Sequence, residues 1–178
     1  MLPPLPGWDG LHPLIIHFPL ALLLVAPLLV VTSLVWRQHS HAFGYAALFL
    51  MVLGTAATYI AVSTGEAAGE LAERGGAVEV VLEHHESMAE RTQVVFTVIT
   101  IVYAFIVLAP LLLKRALAVV PWTIVNAAFL VFYVGGAVLL VNTGHEGGRL
   151  VHEFGVHAMM SPGGASLPPA GIGDDDDH

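Results

Sequence analysis

Ten histidines stand in a chain of 178 residues that has only 6 Lys+Arg and 14 Asp+Glu. Neutral imidazole offers a nitrogen lone pair to transition metals, and its charge changes near physiological pH. His12 and His17 lie near the start, His84 and His85 in the middle, and His145, His152 and His157 towards the end. His39 and His41 stand apart from these, and His178 ends the chain. Imidazoles delivered in pairs from separate segments are what a b-type haem iron takes on its two axial faces. The same nitrogens joined by Glu66, Glu70, Glu86, Glu90, Glu146 or Glu153 are what a zinc or copper ion takes. No HExxH string, phosphate loop or Ser–His–Asp order is present. Cysteine is absent, which excludes thiolate metal sites, iron–sulfur clusters and covalent haem attachment.

The elements that must position these rings are apolar. The hydrophobic fraction is 56%, the charged fraction 11% and the mean hydropathy +0.78. Four runs, 14–36, 43–63, 94–113 and 116–141, contain no Asp, Glu, Lys or Arg. The first is about 35 Å long as a helix, against a hydrocarbon core of about 30 Å. Backbone amides in lipid must bond within their own segment, so each run is expected to be a helix. His17 and Asn126 are the strongly polar residues inside them. The expected fold is all-α: an integral membrane four-helix bundle with short interfacial helices at its outer side. A Pro/Gly-rich leader, 1–12, precedes a four-span domain, 13–157, and an acidic tail, 158–178, follows. The leader has no Lys or Arg, so the first run reads as a retained span and not as a signal peptide.

Arg37 and the Lys114–Arg115 pair lie in the two short loops, which places those loops in the cytoplasm. The N-terminus, the 64–93 segment and the C-terminus then lie outside. Gly65 is expected to end the second helix, with one or two turns from Glu66 to Arg74. From Ala77 a helix should run without interruption into the third span. Gly144 is expected to punctuate the end of span four, and Gly147-Gly148 to separate it from a short interfacial helix. Thr64-Gly65-Glu66 with Gly69 is loosely echoed by Thr143-Gly144 with Glu146, Gly147 and Gly148. Sparse basic residues and the acidic tail exclude nucleic acid as a partner.

Seven histidines fall on the outer side in this topology. His17, one turn inside an apolar run, is the first candidate ligand, because an unpaired polar group there is costly. His85 faces a more apolar stripe than His84 and is preferred to it. His12, His145 and His152 are further candidates, and His157 is the last choice. His12 and His17 are about 140° apart round a helix, which permits two separate sites. Gly54, Ala56, Ala57, Gly135 and Gly136 offer room for a flat macrocycle, or equally for close helix packing.

The strings LHPLIIHFPLAL, TGEAAGE, HHE and TGHEGGRLVHEFG together resemble the DUF2231 family of small bacterial membrane proteins over residues 11–157. The resemblance implies a four-helix protein of the bacterial inner membrane, found beside respiratory or cytochrome subunits, with haem b. Its matched positions are His12, His17, Gly65, Gly69, His85, Gly144, His145, Gly148, His152 and Gly155. The expected function is a b-type cytochrome subunit with bis-histidine haem b, one or two per chain. It would exchange electrons between membrane or periplasmic partners, with quinone among them, and do no catalysis alone. The alternatives are a haem-free membrane protein that binds or transports metal, and an anchoring or assembly subunit of a respiratory complex.

Overall fold

The computed structural model describes residues 7–72, 75–113 and 119–156. The acidic tail, His157 and the Lys114–Arg115 loop lie outside these. A 3₁₀ turn, Asp9–Leu11, leads into α1 (His12–Ile15) and α2 (His17–Val35). A second 3₁₀ turn, Arg37–His39, leads into α3 (Ser40–Glu70). Then come α4 (Ala77–Leu112) and α5 (Val119–His152), and no strand occurs among the described residues. The long helices pack in a ring: α2 on α3, α3 on α4, α4 on α5 and α5 back on α2. Four helices are long and apolar enough to cross a membrane, so this is a multi-pass membrane protein.

The bundle is apolar outside as well as inside. Phe18, Leu28, Phe49, Phe105 and Val131 are exposed, as lipid-facing side chains are in a membrane helix. Inside, small polar groups join the helices. Thr55 Oγ1 and Thr100 Oγ1 are 2.7 Å apart between α3 and α4. Thr92 Oγ1 and Thr143 Oγ1 are 2.8 Å apart between α4 and α5. Gly54 and Gly136 serve packing: a Cβ on Gly54 would come within 2.7 Å of Leu23, and one on Gly136 within 2.5 Å of Ile99. Gly135 faces open space, so neither glycine of this pair makes room for a macrocycle.

The prolines have identifiable consequences. Pro19 has no N–H to give Ile15, and the helical rod is interrupted at Ile16, between α1 and α2. Pro27 lies inside α2 and orphans the carbonyl of Leu23, four residues earlier. The Tyr133 hydroxyl of α5 donates to that carbonyl at 2.6 Å. Tyr133→Phe should therefore destabilise the bundle by about 1–3 kcal/mol, the cost of a buried acceptor left unpaired. Most of that loss should vanish in a Pro27→Ala background, where the helix supplies its own N–H; denaturant unfolding followed by circular dichroism measures the cycle.

Two expected helix ends move. α3 continues through Gly65 to Glu70, and α5 continues through Gly144, Gly147 and Gly148 to His152. There is no separate interfacial helix after the fourth span among the described residues. A glycine ends a helix by entering the left-handed region, and among the described residues only Gly76 (φ 58) and Gly155 (φ 64) do so. Gly155 closes α5, with the Val156 N–H bonded to the Leu150 carbonyl at 2.9 Å. The uninterrupted helix from Ala77 into the third span is as expected. α3, α4 and α5 have 31, 36 and 34 residues, or about 46, 54 and 51 Å at the usual rise. They outreach the hydrocarbon core, and their polar extensions lie together at the end of the bundle where His12 sits.

Candidate functional site

Between the extensions opens a cavity of about 460 Å³, walled by all four long helices and α1. That lies within the roughly 300–1,000 Å³ usual for small-molecule and cofactor sites. Small residues contribute much of its lining: Ala61, Gly65, Ala68 and Gly69 from α3, Ala89 from α4, and Gly144, Gly147 and Gly148 from α5, with the carboxylates Glu66, Glu86 and Glu90 beside them. Three histidines line it: His12 from α1, His85 from α4 and the exposed His152 from α5.

The rings of His12 and His85 are held alike. Nδ1 of His12 donates to the Ala61 carbonyl at 2.9 Å, with Thr64 Oγ1 at 3.3 Å. Nδ1 of His85 donates to the Thr143 carbonyl at 3.1 Å. A carbonyl only accepts, so Nδ1 carries the proton in each ring and Nε2 keeps its lone pair. In an α-helix the residue four places on sits directly over such a carbonyl. Those residues are Gly65 after Ala61, and Gly147 after Thr143. A Cβ on Gly65 would stand 2.9 Å from Cε1 of His12, and one on Gly147 would stand 2.9 Å from Cε1 of His85. Each half-site is thus an imidazole, a helical carbonyl and a glycine one turn further on.

Neutral imidazole is the ligand form, and the hydrogen bond from Nδ1–H to a carbonyl fixes its orientation and tautomer. At the rim, Arg149 bonds Glu146 at 2.9 Å and Glu153 at 3.0 Å. His84 is exposed, 3.9 Å from Glu146.

The five histidines singled out from the sequence do not all converge. His12 and His85 share the cavity, and His152 lines it while remaining exposed. His17 and His145 are exposed and line no part of it. Ala61, Thr143 and Gly147 are contributors that residue type alone does not reveal. Of these only Thr143 and Gly147, with Gly65 of the first half-site, fall inside the loosely echoing Thr-Gly segments; Ala61 lies before the first of them.

No group of three or more His, Asp or Glu able to hold a bare metal ion occurs among the described residues. A structural or catalytic zinc takes three or four protein ligands, whereas haem iron asks the protein only for axial ones. Two imidazoles with oriented rings, beside glycines that keep side chains clear, fit the second requirement. The family model described as "Predicted membrane protein (DUF2231)" matches residues 9–160. No curated protein and no solved structure matches the chain.

Proposed function

This chain belongs to the DUF2231 family of predicted membrane proteins, and we propose that it is a b-type haem protein that carries electrons at the membrane. His12 and His85 would hold the iron through Nε2, and the Ala61 and Thr143 carbonyls would fix the two rings. Haem, when bound, supplies reversible one-electron exchange. The chain's own part is to hold, orient and shield. Gly65 and Gly147 let each imidazole stand against its helix, and the apolar part of the lining together with Glu66, Glu86 and Glu90 would set the potential of a bound haem. With both His12 and His85 engaged as ligands, no position would stay open to a substrate, which favours electron transfer over catalysis. The His12–His85 pair among the described residues supports one haem per chain, and the open rim is where a soluble or membrane-bound redox partner, quinone included, would approach.

The observation that carries this reading is the matched pair of half-sites, each leaving an Nε2 lone pair in the same cavity. Protein produced with an ample haem supply and purified in detergent should give a b-type pyridine haemochrome and a sharp reduced alpha band. Helical, monodisperse protein that takes up no haem under those conditions would defeat the proposal. Metal analysis on the same sample separates it from the haem-free metal-binding alternative.

A further inference from the structure

The likeness of the two half-sites extends through the whole bundle. His85 follows His12 by 73 positions, and Thr143 and Gly147 follow Ala61 and Gly65 by 82. The first offset carries Pro19, Leu23, Ala26 and Val30 of α2 onto Thr92, Phe96, Ile99 and Tyr103 of α4, and all eight are buried. The second carries Gly44, Ala47, Met51, Gly54 and Thr58 of α3 onto Asn126, Phe129, Tyr133, Gly136 and Leu140 of α5, again all buried.

Contacts correspond as well as burial. A Cβ on Gly54 would meet Leu23 at 2.7 Å and Leu22 at 3.2 Å, and one on Gly136 would meet their counterparts Phe96 at 3.5 Å and Val95 at 3.4 Å. The Leu23 carbonyl accepts from Tyr133 of α5 at 2.6 Å, and the corresponding Phe96 carbonyl accepts from Thr55 of α3 at 3.4 Å. Both helix pairs start at the histidine end, and the ring closes in the order α2, α3, α4, α5. A half-turn about the long axis of the bundle therefore carries α2 onto α4, α3 onto α5 and His12 onto His85. The walls of the cavity pair in the same way: Ile16 with Ala89, Pro19 with Thr92, and Thr58 with Leu140 all line it. The pairing is chemically unequal at two charged positions, where Glu86 answers Pro13 and Glu66 answers Gly148.

We infer that this cavity accepts haem b either way up, because its paired walls offer the same surface to both faces of the macrocycle. The inference rests on the reading of the cavity as a haem site. An iron held equally by two Nε2 atoms that a half-turn exchanges would lie on the axis of that half-turn, with the axis in the plane of the macrocycle. With its propionates towards the water at the open rim, turning haem b over exchanges methyl groups only with vinyl groups or with one another. All of these are uncharged, so Glu66 and Glu86 give little preference. A wall that distinguished methyl from vinyl would favour one orientation by roughly 10–200-fold, the effect of one apolar carbon in a fitted pocket.

The test uses the full chain in detergent, loaded with haem b, oxidised, and left until its spectrum stops changing. Proton magnetic resonance should show two sets of iron-shifted haem methyl signals, the minor at least about one-tenth of the major. Loading with the macrocycle that carries methyls in place of both vinyls, which is unchanged by turning over, should give a single set. One set with haem b, or a minor set below that ratio, overturns the inference and leaves the haem reading standing. Two sets that persist with the symmetric macrocycle also overturn it, since the doubling then belongs to the protein. A folded chain that takes up neither macrocycle defeats both readings.

Discussion

Haem content should fall to background in His85→Ala, and separately in His12→Ala, while His17→Ala and His145→Ala keep it. Losing the group that hydrogen-bonds and orients a metal ligand costs roughly 10–100-fold in affinity, and losing the ligand itself should exceed that. Both rings are largely buried and make their bonds through Nδ1, so truncation removes the donor nitrogen and opens space beside it. Neither change touches the apolar core around Phe96, Tyr103 and Phe129, so the helices should persist. Haemochrome assay per mole of folded protein is the measurement. Full haem in both variants would refute ligation by this pair. Full haem with His12 and His85 replaced but none without His17 would move the site to the exposed face of α2.

Gly147→Ala should separate stability from cofactor binding, moving the two in opposite directions. Glycine inside a helix is destabilising by roughly 0.5–1 kcal/mol relative to alanine, so on propensity alone α5 gains. The new methyl, however, would stand 2.9 Å from Cε1 of His85. The ring must swing away and give up its bond to the Thr143 carbonyl, which should weaken haem binding by roughly 10–100-fold. Gly65→Ala should act in the same way on His12, whose ring lies at the same 2.9 Å. A thermal melt of the apoprotein and a haem titration together check it. A purely structural glycine would show no loss of haem.

The four spans are legible because hydrocarbon leaves the backbone one economical conformation and because their length matches the membrane. Their ends are not legible. Gly65, Gly144, Gly147 and Gly148 look like stops because glycine often ends helices in water, yet all four keep helical conformation here. At Gly65 and Gly147 the missing side chain makes way for an imidazole from another helix, a reason residing in a partner 53 and 62 positions away in the sequence. Depth along the chain favours His17 over His12, but depth says nothing about azimuth. The packing of α1 against α3 turns His12 inward and leaves His17 on the outside. His85 is legible for a better reason, since its apolar stripe does face the bundle. The loosely repeated Thr-Gly segments contain Gly65, Thr143 and Gly147 but not Ala61, so the repeat alone does not give the half-sites.

The bond from Tyr133 to the Leu23 carbonyl spans 110 positions of the chain. At roughly 5–20 residues synthesised per second, the acceptor waits on the order of ten seconds for its donor to emerge. During that interval the first helix sits in the insertion machinery or the bilayer with one bare oxygen that its own proline created. Of the four spans, α2 is thus completed only once α5 has been made.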